Sequence, residues 1–190
     1  MYVEREARKH FEELVAVYGV LAVVGPRQAG KTTFLKQEAQ DKNSVYVSFD
    51  DSDARKMFDR DVKQFETQFM GSELSILDEV QYGKEAGQKL KYLADKGKKI
   101  WITSSSQVLL SKEVLSWLVG RVSVVKLYPF SLNEFWLARG QRAFTSEVLA
   151  RGVWEHAVYG GYPKVVLTEG LDLKKTILSD LRETMVLKDI

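Results

Sequence analysis

The sequence predicts an α/β protein: a mainly parallel five-stranded sheet with helices on both faces, followed by a small helical or winged-helix-like lid. Three observations predict it. Short apolar runs alternate with segments at helical spacing from Val3 to Leu127. Those runs are near-continuously apolar, the pattern of parallel strands covered on both faces. After Pro129 the strand-like runs stop, and helix-like segments alone follow.

The elements follow in order. Val3–Tyr18 carries Ala7, Phe11, Leu14, Val15 and Tyr18 on one face, an amphipathic helix. The apolar run ending at Val24, bounded by Gly19 and Gly25, is a buried strand. Gly25 to Gly30 is a loop, and Lys31–Gln40 a helix. Ser44–Phe49, β-branched and aromatic, is a second strand. Asp51, Ser52 or Asp53 caps a helix towards Phe58. Glu73–Leu77 is a third strand leading into two acids, Asp78 and Glu79. Ala86–Lys96 is a helix with Gly97 behind it. Lys99–Thr103 is a fourth strand, Lys112–Val119 a helix before Gly120, and Arg121–Leu127 a fifth strand. Ser131–Arg139, Ser146–Tyr159 and Asp172–Lys188 are helices. Residues 1–130 therefore form the core, with an N-terminal helix in 1–18, and 131–190 the lid.

Gly25-Pro26-Arg27-Gln28-Ala29-Gly30-Lys31-Thr32 matches G-x-x-x-x-G-K-[ST], here between a strand and a helix. In such a loop, backbone N–H groups face phosphates, and the helix opening at Lys31 adds its positive end. Lys31 is expected to reach the β- and γ-phosphates, and Thr32 to offer its hydroxyl to Mg²⁺. Pro26 to Thr33 complete the nucleotide contacts, with Arg27 as a candidate ligand or loop-fixing residue. The fold class is thus that of a P-loop NTPase. Asp78, at the end of an apolar strand, is the expected Mg²⁺ ligand through water. Glu79 is the expected residue that orients the attacking water, because water is a poor nucleophile and must be positioned. Thr103 and Ser105, at the fourth strand tip, are candidates to sense the γ-phosphate; a serine-rich loop capping the next helix is the other reading. Arg121 is the candidate for stabilising transition-state charge, in cis or from a neighbouring subunit.

Composition narrows the classes. The chain has 190 residues, 28 basic and 26 acidic, and 45% apolar residues, as an ordinary globular domain does. The charge balance argues against an obligate nucleic-acid coat protein. With no cysteine, a disulfide framework and a cysteine zinc site are excluded. The N-terminus mixes charges with apolar residues, unlike a signal peptide, and no apolar run reaches the length of a membrane span. The expected location is cytoplasmic. His10 and His156 lack metal-ligand spacing and read as structural. Trp117, Trp136 and Trp154 read as core residues. Lys96, Lys98 and Lys99 read as a solvated turn. Phe130, Phe135 and Leu137 read as ties between lid and core.

Five segments appear in an order that resembles a family of uncharacterised prokaryotic AAA-type P-loop ATPases: GPRQAGKTT, SILDEVQ, ITSSSQ, LVGRVSVVKLYPFSLNEF and GGYPKVV. The likeness covers roughly residues 15–190, and Gly120–Phe135 with Gly160-Gly161-Tyr162-Pro163 are its distinctive parts. The resemblance implies an extra strand between the P-loop strand and the acidic strand, followed by a lid. It implies ATP and Mg²⁺ as cofactors, and puts Gly161 and Pro163 near the adenine. It also implies a C-terminal domain with a nuclease-like fold, with Glu183–Ile190 as the junction and the present chain ending before it. Partners implied are the nucleotide, a homo-oligomer, and protein or DNA through that further domain, with no membrane. The family often has Thr-Gly-Ser where this chain has Thr103-Ser104-Ser105.

Two other functions stay open. One is a small-molecule P-loop kinase, with Arg139 and Arg142 imitating a lid of paired arginines. The other is a regulatory module that holds nucleotide with negligible turnover. A GTPase is disfavoured, since no Asn-Lys-x-Asp segment appears.

Overall fold

The computed structural model describes residues 2–106, 110, 112, 114–140 and 145–189. The chain divides into two compact units. The larger is Ala7–Gly25 with Lys31–Leu127; the smaller is Met1–Glu6, Pro26–Gly30 and Tyr128–Ile190. Where a boundary after residue 130 is expected, the division falls after Leu127, and residues 2–6 group with the helical unit. Their anchoring explains this: Val3 is buried beside Phe130, Phe135, Ala138 and Val166.

In the larger unit five strands form one parallel sheet: β1 (Val20–Val24), β2 (Ser44–Ser48), β3 (Leu74–Asp78), β4 (Lys99–Ser104) and β5 (Val122–Lys126). Their spatial order is β2-β3-β4-β1-β5. β4 therefore lies between the P-loop strand and the acidic strand, as the family resemblance implied. Among the described residues, the helices of the unit include α1 (Ala7–Val15), α2 (Lys31–Glu38), α3 (Ser52–Arg60), α4 (Val62–Phe69) and α5 (Ala86–Asp95).

Strand side chains alternate between two helical layers. From β1, Leu21 and Val23 join Phe11 of α1 and Phe34 and Leu35 of α2, with Trp101 of β4. Val20, Ala22 and Val24 point the other way, into the cluster of Phe58 (α3), Phe65 (α4), and Leu90 and Leu93 (α5). All five β1 residues are buried. Phe58 packs edge-on against Phe49 and Phe65 at centroid distances of 4.8 and 5.1 Å.

The smaller unit holds α6 (Leu132–Ala138), α7 (Ser146–Tyr159), α8 (Pro163–Val166) and α9 (Leu171–Asp189). Ser131 starts α6 through a capping box: its hydroxyl accepts the Glu134 N–H, and the Glu134 carboxylate accepts the Ser131 N–H. Thr145 caps α7. Among the described residues this unit has no strand.

Several elements differ from expectation. α1 starts at Ala7, because Arg5 is drawn into the smaller unit. α4 has no counterpart among the expected elements. Asp61 ends α3 in an extended conformation and its carboxylate caps α4, so one residue breaks and restarts the helix without glycine or proline. In the stretch expected as a helix over Lys112–Val119, the described residues include a 3-10 turn at Leu115–Trp117. Trp117 and Trp154 are 46% and 54% exposed, not core, and Leu137 is exposed at 61%. Trp136 is partly buried against Phe135.

Candidate functional site

β3 carries Asp78 to the C-terminal edge of the sheet, where the first residues of α2 also begin. Three hydroxyl groups donate to its carboxylate. Thr32 Oγ1 and Thr103 Oγ1 reach Oδ1 at 2.8 and 2.5 Å, and the Tyr46 hydroxyl reaches Oδ2 at 2.8 Å. Asp78 is 7% exposed and Thr103 fully buried, so the Thr103 bond forms out of water, where an unmet carboxylate oxygen is costly, and the other two are part-buried. Tyr46 responds in kind. Burial, and then its hydrogen bond to Asp78 and that carboxylate's charge, raise its phenol well above the ordinary tyrosine pKa. Lys31 Nζ, on a buried side chain, donates to the Gly25 carbonyl at 3.0 Å.

Glu79 follows with φ 55° and ψ 46°, a left-handed conformation that disfavours a side chain with Cβ. Its N–H donates to Thr103 Oγ1 at 3.0 Å, so the single Thr103 hydroxyl orders both acids. The Glu79 carboxylate turns to the β4 tip. Oε2 accepts the Ser105 N–H at 3.0 Å, the Ser105 hydroxyl at 2.8 Å, and the Gln81 side-chain amide. Gln81 Oε1 is buried without a partner among the described residues. Thr103 and Ser105 thus contact the two acids. The Ser104 hydroxyl and Ser106 backbone close a local turn beside them.

In the smaller unit lies the middle of the phosphate loop, Pro26–Gly30. Gln28 and Gly30 have φ of 59° and 92°. The Ala29 N–H donates to the Pro26 carbonyl at 3.3 Å, and Ala29 is buried. Arg5 Nη1 donates to the Ala29 carbonyl at 2.9 Å. Pro163 opens α8, and its Cγ lies 3.8 Å from where a Cβ on Gly30 would stand. Gly161 has a tighter reason to be glycine. Its carbonyl accepts the Phe130 N–H at 2.7 Å, and a Cβ there would meet the Phe130 carbonyl oxygen at 2.1 Å.

Gly25 likewise owes its identity to chain packing. A Cβ on it would stand 1.9 Å from the Leu127 carbonyl oxygen, where β5 passes. Thr33 is exposed on α2 and Arg27 half-buried.

Arg121 is not brought to this cluster. It precedes β5 at the N-terminal edge of the parallel sheet, where its Nε meets Asp95 Oδ1 at 2.6 Å. Asp78 and Thr32 belong to the opposite edge, about 16 Å away along five residues of strand. Action of Arg121 in cis is therefore corrected by the strand direction. Arg139 is also engaged elsewhere, pairing with Glu155 and lying over the Phe135 ring, and Arg142 lies outside the described residues. His156 meets the Phe130 carbonyl at 2.9 Å, and exposed His10 faces Glu13. Lys96 and Lys98 both pair with Glu66, which holds its carboxyl below the usual range.

Tyr46, Gln81, Arg5 and Glu134 were missed in the sequence. Tyr46 becomes visible only once β2 is known to neighbour β3. Gln81 stands two residues past Glu79, a spacing that could have drawn notice. Ser131-Leu-Asn-Glu134 reads as a capping box, a signal that would have marked Glu134.

The family model described as an AAA domain matches residues 18–136. An uncharacterized protein of Haemophilus influenzae is 30% identical over 186 residues, which cover 90% of this chain and 46% of that protein. Another, of Methanocaldococcus jannaschii, is 26% identical over 183 residues, with 90% and 42% covered. The chain spans less than half the length of both relatives. In structure it is similar to a Walker-type ATPase of Pyrococcus abyssi, with a TM-score of 0.60 at 14% identity, covering 99% of this chain and 74% of that one. At that identity the likeness is one of fold.

Proposed function

The chain belongs to the AAA domain family, and from that premise we propose that it binds ATP with Mg²⁺ and hydrolyses it, as an ATP-driven switch or motor. The observation that carries the reading is the cluster of Thr32, Asp78, Thr103 and Glu79 at one sheet edge, built from three separate segments. A solvated strand end would need no such convergence of hydroxyls on a buried carboxylate.

The donor set fits Mg²⁺. A hydroxyl and a carboxylate oxygen, Thr32 Oγ1 and Asp78 Oδ1, stand 2.8 Å apart. Hard oxygen ligands of this kind suit a small divalent cation that keeps most of its water and takes phosphate oxygens. Bound there, the ion would neutralise charge on the β- and γ-phosphates. Lys31 supplies a second positive charge, and the loop amides the remaining donors. Glu79 polarises the attacking water, and its release from Ser105 and Gln81 frees the carboxylate to accept that water's proton. Pro26, Arg27, Gln28, Ala29, Gly30 and Thr33 are proposed contacts of the nucleotide, and Pro163 of the adenine. Assembly into a homo-oligomer, a protein or DNA partner recruited by sequence beyond this domain, and a cytoplasmic location are part of the same reading. No helix among the described residues is long and apolar enough to cross a membrane.

Phosphate release from ATP with Mg²⁺ tests it. Glu79→Gln is expected to lower turnover by about 10²–10⁴-fold while ATP binding persists, the usual weight of a positioned base. Lys31→Ala is expected to weaken binding itself. Tight ATP binding with no turnover by the wild-type chain would reject hydrolysis and leave the regulatory module.

A further inference from the structure

Arg5 lies outside every motif of the sequence, yet it is among the most thoroughly bonded side chains of the smaller unit. It is 5% exposed. Its Nε donates to Glu134 Oε1 at 3.0 Å, Nη1 to the Ala29 carbonyl at 2.9 Å, and Nη2 to the Tyr128 carbonyl. Its guanidinium carbon stands 4.9 Å from the Phe130 ring centre. Glu134 is itself buried and fixed by the N–H groups of Glu6 and Ser131, at 2.8 and 3.0 Å.

This geometry bears on the phosphate loop through the peptide plane. A trans peptide is flat, so the carbonyl of one residue and the N–H of the next point in opposite directions. No cis peptide occurs among the described residues. Holding the Ala29 carbonyl towards Arg5 therefore turns the Gly30 N–H away from Arg5, out of the loop's supported side. Gly30, at φ 92°, lacks a Cβ that would resist this orientation. The charge on Arg5 does not itself serve a phosphate, because Glu134 neutralises it at close range and the side chain is buried.

We propose that Arg5, set by Glu134, is a positioning residue of the phosphate loop: it fixes the Ala29–Gly30 peptide so that the Gly30 N–H faces the anion of a bound nucleotide. The proposal rests on the reading of this loop as the nucleotide site. Arginine is required for its fork. Lysine keeps the charge but cannot meet Glu134, Ala29 and Tyr128 at once.

The test compares binding of ATP and of inorganic pyrophosphate, each with Mg²⁺, to the wild-type chain and to Arg5→Lys. It is paired with the amide NMR signal of Gly30 in the wild type. The expected result is a loss of at least about tenfold in affinity for both ligands in Arg5→Lys, with melting still cooperative. In the wild type, the Gly30 amide should move downfield as either ligand binds. Should Arg5→Lys fail to fold, the double variant Arg5→Met with Glu134→Gln, which leaves no unpaired charge, replaces it, and the wild-type amide signal decides independently. Wild-type binding with an unmoved Gly30 amide, or equal affinity in the variants, overturns the positioning role alone. A wild-type chain that binds neither ligand overturns both this role and the nucleotide-site reading.

Discussion

Asp78 gathers its three hydroxyl donors from α2, β2 and β4, so each neighbour adds a restraint that the sequence does not display locally. Tyr46 makes one consequence measurable. Its phenol has a higher pKa in the folded chain than in the unfolded one, through burial and the Asp78 carboxylate. A raised folded pKa means that the folded state holds the proton more tightly. That contribution to stability is complete below the unfolded value of about 10 and is lost as pH rises towards the folded one. Tyr46→Phe should therefore flatten the fall of stability above about pH 10, read by denaturant titration at several alkaline pH values. An identical alkaline profile for both proteins would remove Tyr46 from the Asp78 network. The phosphate loop, Asp78 and Glu79 stand out in the sequence because each type sits at a spacing that the proposed chemistry requires. Tyr46, Arg5 and Glu134 do not, because their partners lie 32, 24 and 129 residues away, or similarly far, and meet only through the fold.

The strands are legible because apolar runs of about five residues between breakers leave little choice of element. α4 is hidden in the sequence because Asp61 serves as the end of one helix and the cap of the next, and a single aspartate signals no break. Trp117 and Trp154 were misjudged for a related reason: an aromatic among apolar neighbours looks buried, but helix rotation decides which face it takes. Trp136 shows the opposite case. Its ring fills the space over Gly152 so closely that a Cβ there would stand 1.8 Å from the ring. Gly152→Ala sets two effects against each other. Alanine in a helix interior gains about 0.5–1 kcal/mol over glycine, while overpacking a fitted contact costs about 1–3 kcal/mol. The clash is the larger, so we expect net destabilisation. The double variant Gly152→Ala with Trp136→Leu should recover part of it, measured as melting temperature. A more stable single variant would contradict the packing of α6 on α7.

At the scale of the molecule, nucleotide binding and strand direction set two separate expectations. A ligand that binds only the folded chain stabilises it by RT ln(1 + [L]/Kd), about 2.7 kcal/mol at a hundredfold excess over Kd. For a chain of this size that is a rise of roughly 5–11 °C in melting temperature. ATP with Mg²⁺ should produce it in the wild type and fail to in Lys31→Ala, which lacks the proposed phosphate contact. Arg121 raises the question of assembly. It sits at the edge of the sheet opposite Asp78, half-exposed and paired with Asp95 across 2.6 Å. An exposed pair of this kind holds its partner weakly, by about 0.2–1 kcal/mol, so Arg121 is free to exchange Asp95 for another anion. Yet about 16 Å of sheet keeps it from the proposed nucleotide site of its own chain. If it stabilises transition-state charge, it does so for a second copy. Arg121→Ala should then match the wild-type rate per subunit at high dilution, and fall behind only where the wild-type rate rises with protein concentration. A deficit that persists at high dilution would mean that Arg121 serves its own subunit, against the parallel register of β1 and β5. Coincident rates at every concentration would leave it as the surface partner of Asp95.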